Sequence, residues 1–116
     1  MGIQQNIGKE GEELAQTFLE RKGYSILASN FRYGQSEIDM IARSPDGWLV
    51  FVEVKARKDS TFGYPEDFVS RNQMGAIRRA AEGYLQRNGW EKKFRFDIIA
   101  ILLTQPPQLE HLEDAF

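Results

Sequence analysis

An α/β fold, a mixed β-sheet with helices packed on it, is what this 116-residue sequence predicts. Three observations predict it. The periodicity runs helix, three strands, helix, strand along the chain. The stretch "SPDG" (44–47) joins two strand-like runs with turn residues in good order. The stretch "IIAILL" (98–103) is almost continuously apolar, the pattern of a strand covered on both faces.

Residues 10–22, "EGEELAQTFLERK", read as the first helix. Leu14, Phe18 and Arg21 share one side, with Ala15 and Leu19 beside them, and Gly23 follows as the stop. "YSILASNFR" (24–32) reads as the first strand and "SEIDMIAR" (36–43) as the second. Pro45 and Gly47 take the second and fourth positions of a turn, so residues 36–57 form a hairpin with "WLVFVEVKAR" (48–57) as its other arm. "KDSTFGYPED" (58–67) is a loop. Residues 68–88 read as a second helix with the apolar stripe Met74, Ile77, Ala81, Tyr84 and Leu85. Gly75 and Gly83 weaken its propensity, and Asn88 or Gly89 ends it. "KFRFDIIAILL" (93–103) is the fourth strand. In the tail, "TQPPQLEHLEDAF", Pro106-Pro107 ends regular structure and a short helix is expected to follow. One domain is expected over 1–116, with its core at about 8–102.

Composition narrows the chemistry. The chain has no cysteine, which excludes a disulfide scaffold, a thiolate nucleophile and a cysteine metal site. No apolar run is long enough to cross a bilayer, and the first residues lack the basic and apolar regions of a signal peptide. Gly2, followed by Gln5-Asn6, fits the myristoylation pattern badly. A cytoplasmic location and no membrane partner are therefore expected. The net charge of −2 argues against coating nucleic acid through bulk charge, while leaving room for a local basic face. Residues 69–88 carry Arg71, Arg78, Arg79 and Arg87 against Glu82, whereas the last seven residues carry acids and no Lys or Arg.

Charge enters the third strand only near its end. Strand side chains alternate, so Leu49, Phe51, Glu53 and Lys55 share one face and Val50, Val52 and Val54 the other. Glu53 and Lys55 then lie about 7 Å apart and point the same way. Across the "SPDG" turn, Asp39 can come near Glu53, in a register that the turn sets. Two carboxylates in a half-buried site repel unless a cation shares it. Their oxygens suit Mg²⁺ or Mn²⁺, and a neighbouring ammonium can stabilise charge on a phosphoryl group. The same charges also suit an edge strand facing solvent, where they suppress aggregation. Spacing alone does not separate the two readings.

The blocks "GKEGEELAQTFLERKGYSILASNFR", "SEIDMIA", "FVEVKAR", "FGYPEDFV" and "RFDIIAI" occur in this order over about residues 8–102. Together they resemble the YraN-type family of small bacterial proteins. That family is similar in fold to the archaeal Holliday junction resolvases of the PD-(D/E)XK, restriction-endonuclease-like superfamily. The resemblance implies a restriction-endonuclease-like mixed central sheet flanked by helices. It implies that Asp39 and Glu53 are metal-binding acids and Lys55 the superfamily lysine. Glu12, in "GEELA", matches an N-terminal acid that joins the metal site, and Gln73 matches a helix position that contacts phosphate or water. Mg²⁺ or Mn²⁺ is the implied cofactor and DNA the implied partner, branched or Holliday-junction-like structures included. A symmetric homodimer is what a four-way junction asks of so small a chain. Ser36 stands where relatives commonly have glycine and leaves both carboxylates intact.

Other residues carry a bland reading beside a functional one. Glu12 also suits a first-turn acid favoured by the helix dipole. "GKEGEE" lacks the Lys-Ser or Lys-Thr ending of a P-loop. Arg57 and Lys58 beyond the strand, and Arg71 and Arg78 seven apart on the second helix, are the candidate contacts to a nucleic-acid backbone; each also suits a solvated surface. "FGYP" (62–65) suits either base stacking or a rigid loop. Asp97 reads as structural, paired with Arg95 or capping a backbone group. His111 has no His or Cys beside it, so no metal role is expected of it, and Trp48 reads as a packing residue. The leading function is a metal-dependent endonuclease hydrolysing DNA phosphodiester bonds. A non-catalytic nucleic-acid-binding module and a structural or interaction protein on the same fold are the alternatives.

Overall fold

A computed structural model describes residues 7–59, 69–90 and 93–116. The elements are α1 (Ile7–Arg21), β1 (Ser25–Tyr33), β2 (Ser36–Arg43), β3 (Leu49–Arg57), α2 (Arg71–Asn88), β4 (Phe94–Leu102) and β5 (Gln108–Leu112). The strands form one sheet in the order β1-β2-β3-β4-β5. All neighbours are antiparallel except β3 and β4, which run parallel from Leu49 opposite Phe94 to Arg57 opposite Leu102. A parallel pair needs a crossover, and the connection through α2 supplies it. The sheet is therefore mixed and flanked by two helices, as the sequence predicts.

Each helix covers one face. Gly11, Ala15 and Leu19, four residues apart, are the buried line of α1. Ala15 and Leu19 pack on Met40, Ala42, Val50, Val52, Ile99 and Ile101. Arg21, expected to share this side, is exposed at the end of the helix. On the opposite face, Ile77, Ala80 and Ala81 of α2 pack on Ile38, Ile41, Leu49, Phe51 and Phe96. Leu49 to Val52 are wholly buried, as a strand covered on both sides must be. Each such large apolar side chain contributes roughly 1.5–3 kcal/mol through burial. Among the described residues no helix is long and apolar enough to cross a membrane.

Local signals set the element ends. The Gly47 N–H bonds Ser44 O at 3.0 Å, closing the "SPDG" turn. Ser70 caps α2 and forms a reciprocal capping box with Gln73. Gly89, at φ +58°, ends the helix in the left-handed conformation that glycine adopts without strain.

The tail departs from expectation. Beyond Pro107 the chain forms β5, antiparallel to β4, in place of a short helix. The prolines stop β4, but the edge of β4 still offers unpaired backbone groups, and residues 108–112 satisfy them. Leu109 packs against the α1-side core, and Phe116 stacks on Phe96 with ring centroids 5.2 Å apart. "FGYP" lies within 60–68, outside the described residues.

Candidate active site

The site begins where β2 and β3 part. Their last paired residues are Met40 and Val52. One residue further out, Asp39 Oδ2 accepts the Val54 N–H at 2.8 Å, so a side-chain carboxylate takes the place of a main-chain partner. Strand alternation is also reset here: Ile38 packs on the α2 side and Met40 on the α1 side, although two residues apart they would ordinarily share a face. Opposite Asp39 stands Asn30, flanked by the pairs Ser29–Met40 and Phe31–Ile38, with φ +53°. A non-glycine residue at positive φ is uncommon, and Asn tolerates it best.

Glu53 follows Val52 on β3 and is 9% exposed. Its carboxyl is pushed up to about 8, first by burial, then by the charge of Asp39 and a hydrogen bond shared with Asp39; Lys55 pulls the other way and Glu12 adds a smaller upward push. The two acids therefore lie side by side, and burial favours the protonated form of Glu53 when no metal shares the site. The Lys55 Nζ lies 3.9 Å from Glu53 Oε1, a charge pair too long for a tight hydrogen bond.

Glu12 reaches the site from α1. Gly11 makes that approach close: a Cβ there would stand 2.7 Å from the Ala56 Cβ, at the end of β3. Burial raises the Glu12 carboxyl, Asp39 raises it further and Glu37 adds to this, against a hydrogen bond from Asn30. With the Asn30 amide nitrogen turned to the acids, Nδ2 lies 3.1 Å from Glu12 Oε1 and 3.1 Å from Glu37 Oε1. The sequence-predicted set Glu12, Asp39, Glu53 and Lys55 thus lies in one electrostatic neighbourhood. Asn30, Glu37 and Gly11 are members that sequence reasoning missed. The only signals were an Asn inside a strand-like run and a glycine early in a helix.

The other candidates lie elsewhere. Gln73 Oε1 accepts the Ser70 N–H at 3.2 Å, so any phosphate contact falls to its NH₂. Arg57 donates from Nη1 to Ala56 O at 3.1 Å, just beyond Lys55 on the same strand. Lys58 is exposed and lines a cavity of about 280 Å³ with Glu10, Leu103 and Pro107. Arg71 and Arg78 are exposed on α2, and the Arg78 guanidinium lies 5.8 Å from the Phe96 ring centre.

Comparison with known sequences decides the family. The family described as "Uncharacterised protein family UPF0102" matches residues 11–101, which include Glu12, Asp39, Glu53 and Lys55. The chain belongs to UPF0102. A UPF0102 protein of Flavobacterium psychrophilum is 41% identical over all of this chain and 98% of its own length. One of Pelobacter propionicus is 44% identical over 96% of this chain and 82% of its own length. One of Shewanella oneidensis is 42% identical over 95% of this chain and 98% of its own length.

This UPF0102 chain holds a second polar cluster, which the sequence did not reveal. Asp97 is wholly buried on β4. Its carboxylate accepts from Arg95 Nε at 3.0 Å, from His111 Nε2 at 2.7 Å and from the Asp114 N–H at 3.0 Å. Burial pushes the Asp97 carboxyl up, but the bonds from His111, Arg95 and Asp114 outweigh it and hold the group below its usual range. One ligand atom each from Asp97, His111 and Glu113 lie within 4.8 Å of one another, a spacing that can hold a metal ion. The absence of a metal role expected of His111 therefore does not follow: β5 brings it beside Asp97 from 14 residues away. Yet Arg95 also donates to Glu113 Oε1 at 2.9 Å and to the Tyr24 hydroxyl at 2.7 Å. A guanidinium already balances both acids, and Lys22 stands 2.9 Å from the other ring nitrogen of His111. The cluster forms an ion-pair network in which Asp97 pairs with Arg95, the pairing that the sequence suggests.

Proposed function

We propose that this protein is a divalent-metal-dependent endonuclease that hydrolyses DNA phosphodiester bonds. The observation that carries the reading is the convergence of Asp39, anchored on the Val54 N–H, with buried Glu53 and its neighbour Lys55. Asp39, Glu53 and Glu12 outnumber the one ammonium beside them, that of Lys55, and such an all-oxygen donor set suits a divalent ion. The resemblance of the chain's sequence blocks to the YraN-type family, which is similar in fold to restriction-endonuclease-like resolvases, supports the same assignment. The Asp97 cluster is the weaker candidate, because Arg95 supplies the charge a metal would bring.

Asp39 and Glu53, with Glu12, would hold Mg²⁺ or Mn²⁺, whose chemistry is to polarise a phosphoryl oxygen and acidify a bound water. The chain's own groups supply the rest. The Val54 N–H fixes one oxygen of Asp39 so that the carboxylate does not swing away. Lys55, only partly exposed, provides an ammonium beside Glu53 for the charge that develops on the phosphate. Arg57 and Lys58, next on the strand, and Arg71 and Arg78 on α2 are assigned to backbone phosphates, which position a duplex without reading it. Branched or junction DNA and a homodimeric assembly belong to the same proposal, by analogy with resolvases.

The test is cleavage of labelled linear, flap and four-way-junction DNA with Mg²⁺ and Mn²⁺. Wild type is expected to cut and Asp39→Ala is not. Cleavage by Asp39→Ala at the wild-type rate would overturn the assignment. Salt-sensitive binding without cleavage under any metal would leave the non-catalytic module in its place.

A further inference from the structure

We propose that Asn30 is a positioning residue for the acidic site: its NH₂ bridges Glu12 and Glu37 and holds the Glu12 carboxylate beside Asp39. The inference rests on the metal-site reading above and names a residue that reading does not require.

The geometry begins with the backbone. Asn30 sits opposite Asp39 at φ +53°, inside a strand. Ala28 and Phe31 both pack toward the α2 side, so alternation along β1 breaks between them. A regular strand residue at 30 would carry its side chain where alternation sends it; the left-handed residue redirects it. The redirected amide meets two acids, Glu12 Oε1 and Glu37 Oε1, each 3.1 Å from Nδ2. An NH₂ has two hydrogens and can serve both. Glu37 is held from its other side by Arg32 at 3.1 Å. Arg32, Glu37, Asn30 and Glu12 thus form a chain that ends on the α1 acid.

Glu12 has reason to leave. Its other neighbours across the site, Asp39 and Glu37, are acids like itself. A glutamate has three rotatable bonds, so without a donor its carboxylate would turn to solvent. Asn30 opposes that movement. Hydrogen-bond partners of metal-ligating groups typically change metal affinity by about 10–100-fold when removed.

The experiment is Mn²⁺ binding by calorimetry for the wild type, Asn30→Gly, Glu12→Gln, the double variant and Asp39→Ala. Glycine keeps the positive φ and removes only the amide. Asn30→Gly is expected to keep the wild-type circular dichroism, to weaken Mn²⁺ about tenfold, and to add nothing in the Glu12→Gln background. Wild-type affinity in Asn30→Gly, or an effect that multiplies with that of Glu12→Gln, overturns the proposal alone. A wild type with no Mn²⁺ affinity, or Asp39→Ala with wild-type affinity, overturns the metal-site reading and this proposal together.

Discussion

The Asp39 carboxylate bonds the Val54 amide at 2.8 Å, beyond the last backbone pair of the β2–β3 ladder. A side chain thereby continues what the main chain stops doing. The bond holds the Asp39 carboxylate where the strands part, beside the second acid, Glu53. Asp39→Asn keeps an acceptor for Val54 and removes the charge. It is expected to lose cleavage by at least about a hundredfold while unfolding, without metal at pH 8, no lower than wild type. Thermal unfolding beside a cleavage assay checks both halves.

Glu53 makes the metal-free fold pH-sensitive. Its carboxyl, ordinarily near 4.5, is raised to about 8 in the fold. Between those values the folded chain holds a proton that the unfolded chain has lost. The contribution is present below about 4.5 and is lost as pH rises toward 8. Without metal, Tm should fall over this window, and the fall should flatten in Glu53→Gln. Added Mg²⁺ or Mn²⁺ should stabilise wild type more at pH 8 than at pH 5. Thermal scans across pH, with and without metal, read each effect.

Gly11 sets how closely α1 approaches β3. Gly11→Ala gains helix propensity of about 1 kcal/mol but places a Cβ 2.7 Å from the Ala56 Cβ. Overpacking costs about 1–3 kcal/mol, so the net loss of stability should be about 0–2 kcal/mol. The shift of α1 carries Glu12 with it, so metal affinity should fall even where stability changes little. Urea unfolding and Mn²⁺ titration of the same variant separate the two.

The Asp97 network predicts the opposite pattern. Asp97→Ala removes a wholly buried carboxylate that accepts from Arg95, His111 and the Asp114 N–H, and should destabilise by about 3–5 kcal/mol. His111→Ala removes one bond from Asp97 and should leave Mn²⁺ affinity unchanged. Loss of Mn²⁺ binding in His111→Ala, with binding kept in Asp39→Ala, would move the metal to this cluster. Calorimetric titration of the two variants decides it.

Periodicity made most of the fold legible. "SEIDMIAR" and the "SPDG" turn gave β2 and its hairpin, because alternation and turn chemistry are local properties. The pairing of Arg95 with Asp97 was legible for the same reason, two residues apart on one strand face. β5 was not, since Pro106-Pro107 signals only where β4 ends, and pairing with its edge is a tertiary demand. The surroundings of His111 were hidden with it: its neighbours in space are Asp97 and Lys22, far away in sequence. Asp39 and Glu53 were legible as a candidate pair because a local turn joins their strands, but Asn30 was lost because a left-handed residue in a strand obeys no period. Gly11 appeared only as part of "GKEGEE", and its role depends on Ala56 across the packing, which no local pattern shows.

The central claim is that the Asp39–Glu53 pair binds the metal that drives phosphodiester hydrolysis. The most direct measurement is the Mn²⁺-dependent cleavage rate of labelled junction DNA by wild type and Glu53→Gln at equal folded concentration. The account predicts metal-dependent cutting by wild type and at least about a thousandfold loss in the variant, with the fold intact. Equal rates in the two proteins would contradict it.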